Sequence, residues 1–396
     1  MPFKIFSFFK HQFLDPLNEF IHDSRSIGIM LLLCTAISLV VTNLPGGERY
    51  IHFWETEFHF LHNFYLPHTL LHFINDGLMA VFFFLAGMEI KRELLEGELN
   101  SLRKATLPVV AAIGGMLVPA VIYSIFNKGT IFQSGWGIPT ATDIAFSLGV
   151  ASLLGSRVPV TLKIFLTALA IIDDLGAIIV IALFYGAEVN IAWLIACAVT
   201  GFLIWLVNKK MAFGWLQFVL GILMWYCMFN SGIHATVAGV LFAFLVPQKC
   251  LHHFEMKLHS IVYFIIMPIF ALANTAILLP ANAIVQLGST LSVGIILGLF
   301  IGKPLGIYAA SYFVIKKRIA KLPQGTTLQH LLGGGMLAGI GFTMSIFIAT
   351  LAFTDVSSQN MAKVAVLAGS IASIIAGYAW LMWVSRKNGA GTPQQH

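Results

Sequence analysis

An all-α polytopic membrane protein of twelve transmembrane helices is the fold class this sequence predicts, on three observations. Of 396 residues, 58% are hydrophobic and only 10% are charged, too few charges to clothe a soluble surface. Apolar stretches able to cross a hydrocarbon core of about 30 Å, at roughly 20 residues per helix, recur along nearly the whole chain. Basic residues, finally, fall in alternate inter-span segments when twelve spans are counted, and dropping one span would scatter them across both sides.

In chain order, the first 25 residues carry Lys4, Lys10, Asp15, Glu19, Asp23 and Arg25 with no small-residue cleavage site, and read as a cytoplasmic N-terminal segment before a retained first helix. Span cores are expected at 27–43, 70–90 and 105–126. Between the first two, the 44–69 loop is rich in aromatics and His, and its "YIHFWETEFHF" is a candidate for a short hairpin or interfacial segment on the outer surface. The fourth span, 136–154, is interrupted: in "GWGIPTATDIAFSLG" Pro139 withdraws a backbone donor while Gly135, Gly137, Thr140 and Thr142 weaken the helix around it. The fifth, 159–184, is apolar around the pair Asp173 and Asp174. Spans at 191–207, 212–229, 233–247 and 259–279 come next. The tenth, 290–314, places Gly294, Gly298, Gly302 and Gly306 every fourth residue, a spacing that lets another helix approach closely and holds Lys303 against whatever lies opposite. The eleventh, 331–352, is interrupted where Gly339 and Gly341 precede Thr343 and Ser345. The twelfth, 362–384, leads into a cytoplasmic tail, 386–396. Without hydrophilic insertions or low-complexity tracts, 26–385 reads as a single membrane domain.

With the N-terminus inside, eighteen of the twenty-three basic residues lie in cytoplasmic segments, and the outer segments hold only Arg49, Lys128 and Lys363. The net charge of +6 is therefore a cytoplasmic rim and does not call for nucleic acid. Cys34, Cys197, Cys227 and Cys250 sit at unrelated spacings that suggest neither a disulfide framework nor a thiolate metal site. Breaks at matching places in spans 3–5 and 10–12 are the pattern of an inverted-repeat transporter, because non-helical backbone at membrane depth survives only where it lines a cavity or is buried in protein.

Of the seventeen acidic residues, only Asp76, Asp143, Asp173 and Asp174 fall well inside spans, and of the basic ones only Lys163 and Lys303. A centred charge costs about 2.5–3.5 kcal/mol even on insertion scales, so these residues mark an ion or proton pathway. Asp173 and Asp174, consecutive on a helix, project about 100° apart, so one can face a cavity and the other a neighbouring helix. Two close carboxylates repel, and at least one then holds a proton it can exchange for a cation. Oxygen ligands suit a small hard ion such as Na+ or Li+. Lys303 is the candidate counter-ion, either a proton-coupled latch or a static charge at half-helix C-termini. Asp143 either couples directly or offsets half-helix N-termini, and Thr142 either ligates the cation or caps the half-helix. Near the cytoplasmic ends, Asp76, Glu89, Lys91, Arg92, Glu93, Glu255, Lys257 and His259 form either a pH-responsive cluster or a plain solvated helix end. His234 in "SGIHATVAG" reads as a satisfied core histidine, and the histidines at 52, 59, 62, 68, 72, 252 and 253 form no metal-protease pattern.

Together, "ATDIAFSLGV", "LKIFLTALAIIDDLGAIIVIALFYG", "GKPLG", "GIGFTMSIFIA", "MEIKREL" and "SLRKATLPVVAAIGGMLVPA" closely resemble the bacterial NhaA-type sodium/proton antiporters, over about residues 26–384. The resemblance implies a twelve-helix inner-membrane protein that exports Na+ or Li+ in exchange for more than one proton, without a cofactor, and that forms homodimers. It implies that Asp174 is the principal cation and proton carboxylate, that Asp173 is its partner and the mate of Lys303, and that Asp143 and Thr142 are the broken-helix elements. Na+ is then bound at Asp173, Asp174 and Thr142, and Glu89, Arg92, Glu93, Glu255 and His259 resemble the family's pH-sensing cluster. The 44–69 loop, in the place of the outer dimer contact, is the least family-like stretch.

Two other classes are discriminated by simple observations. An intramembrane aspartyl protease needs a Tyr-Asp on one helix and a Gly-x-Gly-Asp on the next, and neither occurs. A sodium-coupled solute symporter on the same architecture predicts solute uptake stimulated by Na+.

Overall fold

The computed structural model describes residues 24–59, 63–186, 188–279 and 283–389. Most of the expected N-terminal segment, 1–23, and of the tail, 390–396, lie outside the described residues. Among the described residues, fourteen helices carry the architecture: α1 (Ser24–Asn43), α2 (Glu48–Trp54), α3 (Leu70–Leu95), α4 (Leu102–Asn127), α5 (Ile144–Leu153), α6 (Val160–Phe184), α7 (Ile191–Lys210), α8 (Trp215–Phe229), α9 (Thr236–Leu245), α10 (Gln248–Asn274), α11 (Thr290–Lys316), α12 (Leu328–Ala338), α13 (Phe342–Ala352) and α14 (Val356–Gly389). Among the described residues, eight helices are long and apolar enough to cross a membrane, and α12 with α13 forms a ninth span bent by 47°.

Burial separates centre from periphery. In α6, 61% of the most apolar window is buried, against 17% in α7, so the aspartate-bearing helix is central and α7 offers its side chains to lipid. Close approach at the centre relies on small residues. A Cβ on Gly306 of α11 would stand 2.1 Å from the Gly114 carbonyl oxygen of α4, and one on Gly239 of α9 would stand 2.2 Å from the Ala80 carbonyl oxygen of α3. The helix facing the glycine row of α11 is thus α4, whose Gly115 lies beside the Lys303 stem.

Three long helices contain a π turn, at Ile74–Leu78, Val262–Ile266 and Gly298–Gly302. A π turn inserts one residue into the helical register and re-aims the side chains after it. Asp76 sits inside the first, and Lys303 directly succeeds the third.

Several expectations need correction. Over 50–59 the described residues form no hairpin of their own: "YIHFW" completes α2, and among the described residues one antiparallel bridge joins Glu57 to Thr69. The ninth span begins at Gln248 rather than 259, because the polar turns "QKCLHHFEMKLHS" mask its start. The last helix begins at Val356, so Lys363, expected in an outer segment, lies on the third turn of α14 with 5% of its surface exposed. Lys163, expected well inside a span, lies in the first turn of α6. Pro139 falls within a 3-10 helix, Gln133–Thr140, and the helix break comes after it, at Ala141–Asp143.

Candidate functional site at two crossed helix breaks

The two interrupted segments cross at their breaks and bond reciprocally. Ser147 of α5 donates to the Leu337 carbonyl at 2.8 Å, and Ser345 of α13 donates to the Ile138 carbonyl at 2.7 Å. The Asp143 amide donates to the Ile340 carbonyl at 2.7 Å. Backbone groups that the breaks leave without helical partners are thereby satisfied.

Each kind of half-helix end has a charge of opposite sign. Asp143, 2% exposed, accepts from the Phe146 amide at 3.1 Å through one oxygen, and from the Thr343 amide at 3.1 Å and the Thr343 hydroxyl through the other. One carboxylate thus caps the positive N-termini of both α5 and α13. At the opposite ends, Lys303, wholly buried, donates to the Thr140 carbonyl and pairs with Asp173 at 2.9 Å. Thr142 Oγ1 lies 2.6 Å from Asp173 Oδ2 and 3.0 Å from the Ala338 carbonyl oxygen, with one proton to share between them.

Asp174 points the other way. It lines a cavity of about 10 Å³ with Glu89, Asp143, Tyr263, Met267 and Thr343, about enough for one water. One oxygen each of Asp173 and Asp174 is buried and accepts no hydrogen bond from the described residues. Buried carboxylate oxygens without partners are costly unless a proton or a cation completes them.

The family described as Na+/H+ antiporter 1 matches residues 18–381. The chain belongs to this family. A relative from Clostridium beijerinckii, named Na(+)/H(+) antiporter NhaA 1, is 46% identical over 96% of this chain and 98% of its own length. Relatives named Na(+)/H(+) antiporter NhaA, from Cytophaga hutchinsonii and Vibrio campbellii, are 44% and 46% identical over 92% and 93% of the chain, covering 94% and 95% of their own lengths.

In this antiporter-family chain the remaining candidate residues form two groups. Arg92 of α3 holds Glu255 of α10 through two contacts, at 2.9 and 3.1 Å, and Glu93 at 3.3 Å. The His259 ring packs at a tilt of 53° against Tyr263, with ring centroids 4.6 Å apart, and Tyr263 reaches the Asp174 cavity. Glu89, one turn inward from Arg92 and Glu93, lies in the cavity itself. The cluster therefore runs inward to the aspartates. Asp76 does not join it: thirteen residues from Glu89, or about 20 Å along α3, it pairs with His72 at 2.9 Å and His234 at 3.9 Å instead. That group borders a separate cavity of about 990 Å³. His234, read as a core histidine, is half-buried on this cavity and bonds the Tyr185 carbonyl at 2.8 Å.

Sequence reasoning missed the role of Thr343, although it stands directly behind the second break. It also missed Tyr185, whose hydroxyl accepts from the Gly137 amide at 3.0 Å and donates to the Ser134 carbonyl at 2.8 Å. His72 carried a usable signal, four residues before Asp76 on one helix.

Proposed function

We propose that this Na+/H+ antiporter works by alternating access, with Asp173 and Asp174 exchanging protons for Na+ or Li+ and Thr142 contributing a hydroxyl to the cation. The supporting observation is that two buried carboxylates, each with an unbonded oxygen, meet at the crossing of two helix breaks. The polar side chains that line the Asp174 cavity, those of Glu89, Asp143, Tyr263 and Thr343, all carry oxygen donors, and Asp143 and Lys303 neutralise the half-helix ends around it. Counting the segment from Gln133 through α5 as one discontinuous span, α12 with α13 as another, and the shorter α8 and α9 gives twelve spans. The reciprocal serine bonds support the inverted repeat of spans 3–5 and 10–12. The basic rim then faces the cytoplasm of a bacterial inner membrane, with both termini inside. The Arg92, Glu93 and Glu255 group, reaching Glu89, regulates exchange by pH. A homodimer forms through the 44–69 region, where Phe53, Phe64 and Tyr65 expose more than half their surface.

The test uses everted membrane vesicles with an acid interior, to which NaCl, LiCl or KCl is added between pH 6.5 and 8.5. Na+ and Li+ collapse the gradient in the wild type and leave it standing in folded Asp174→Asn. Full exchange by that variant overturns the site assignment. A pH profile unchanged by Arg92→Gln removes the proposed regulation.

A further inference from the structure

A second cavity lies on the face proposed above as cytoplasmic, away from the aspartates. It measures about 400 Å³ and opens between the starts of α4 and α6 and the turn after α11. Its rim carries Arg103, Lys104, Arg318 and Lys321, all exposed. Glu98 is its one carboxylate among the described residues, 3.7 Å from Lys104, which leaves three positive charges in excess. The floor is apolar, with buried Leu107, Phe165 and Ala168 beside Pro323. At the mouth, Ile164 and Ile319 expose 46% and 59% of their surface.

The backbone fixes where these groups stand. Arg318 adopts φ 59°, a left-handed conformation that an arginine rarely takes, and the amides of Ile319 and Ala320 both turn back to the Val314 carbonyl at 2.9 and 3.3 Å. Thr161, in the first turn of α6, donates to the Gln324 carbonyl at 2.8 Å and lies 2.9 Å from the Thr326 hydroxyl. The turn that carries Arg318 and Lys321 is thereby tied over the cavity. The helices α4 and α6 both start here without a side-chain cap, so two positive dipole ends join the basic rim.

We propose that this cavity is a binding site for one anionic phospholipid, with the phosphate held by Arg103, Lys104, Arg318 and Lys321 and the upper part of an acyl chain lying on the Leu107–Phe165 floor. The chemistry requires both halves. A free anion has no use for an apolar floor open toward lipid, and a zwitterionic lipid adds a cation to a rim that already carries four. Basic pockets between membrane helices at the cytoplasmic face have this character. Since the floor includes the first turns of α6, the lipid braces the helix that carries Asp173 and Asp174.

The full-length protein, purified in detergent, is titrated with dioleoyl phosphatidylglycerol and observed by native mass spectrometry. The same titration is run with dioleoyl phosphatidylcholine, glycerol 3-phosphate and inorganic phosphate. The wild type retains phosphatidylglycerol in preference to the other three. Arg318→Gln/Lys321→Gln weakens retention about tenfold or more, and Lys104→Gln and Ile319→Gln each weaken it less. Arg386→Gln/Lys387→Gln, elsewhere on the same rim, leaves retention unchanged. Equal retention by Arg318→Gln/Lys321→Gln and wild type overturns the site. Equal binding of phosphatidylcholine overturns the charge selectivity, and equal binding of phosphate or glycerol 3-phosphate overturns the lipid assignment, since the acyl chain then adds nothing to an anion pocket.

Discussion

Individual side chains at the crossing have more than one partner, and their substitution separates structural from transport roles. Lys303 touches both the Thr140 carbonyl and Asp173. Removing one member of a buried ion pair costs about 3–5 kcal/mol because the other charge is stranded. Lys303→Ala therefore lowers the unfolding temperature sharply, and Lys303→Ala/Asp173→Asn recovers much of the loss. If the double variant is no more stable than the single one, the pairing contributes little and the lysine acts on the helix ends alone. Thr142→Val keeps the shape but removes the hydroxyl beside Asp173. A hydrogen bond to a charged group contributes about 1.5–3 kcal/mol, so apparent Na+ affinity falls about tenfold or more in a protein that still folds. Unchanged Na+ dependence in the vesicle assay would falsify a ligand role. At this scale four of the six charges that stood alone in apolar runs were readable: Asp143, Asp173, Asp174 and Lys303 meet at the crossing, whereas Asp76 joins a separate group and Lys163 lies in the first turn of α6. Lys303 was legible as the mate of Asp173 through the family resemblance, and His72 by its four-residue spacing from Asp76, but partners distant in the chain were not: Asp143 and Thr343 are 200 positions apart, and His234 reaches Asp76 from the turn before α9.

At the scale of elements, the site depends on two contacts: the crossing of the breaks and the close approach of α4 to α11. The second is carried by Gly114 and Gly306, each of whose missing side chains would strike the other's carbonyl. Gly306→Ala forces the helices apart one turn from Lys303. Overpacking of this kind typically costs about 1–3 kcal/mol, and here it also draws Lys303 away from Asp173. Thermal unfolding should show the stability loss, and exchange should fall by more than the loss of folded protein explains. A variant with wild-type exchange and unfolding temperature would mean the approach is looser than 2.1 Å implies. The glycine row announced this contact because its four-residue period is local, and the second break was legible for the same reason, as Gly339 and Gly341 bracket it. The first break was displaced from Pro139 to Ala141–Asp143, because the proline fits a 3-10 turn and the extended backbone is fixed by Ile340 and Thr343 across the crossing. The starts of α10 and α14 were lost to polar residues that hydropathy excludes but that helix geometry accepts.

The whole molecule encloses Asp174 in a cavity of about one water, so the proposed exchange at this site requires the crossed segments to move relative to α3 and α10, alternately opening the site to each side. The charge that crosses the membrane in that movement is the net charge of the loaded site. With Na+ on two ionised carboxylates the pair carries one negative charge, and with a proton on each it carries none. The two half-cycles therefore differ by one elementary charge, and exchange of two protons for one Na+ is sensitive to voltage. A potential of 100 mV contributes about 2.3 kcal/mol per charge, equivalent to an Na+ gradient of about fiftyfold. In proteoliposomes of the wild type, with equal pH on both sides and a potential set by valinomycin and K+, Na+ should accumulate on the electrically positive side toward that limit. Asp173→Asn, if folded, leaves a single exchanging carboxylate, and its Na+ movement should track the pH gradient while ignoring the potential. Wild-type exchange indifferent to the potential would mean one proton per Na+, and Asp173 would then keep its bond to Lys303 throughout the cycle.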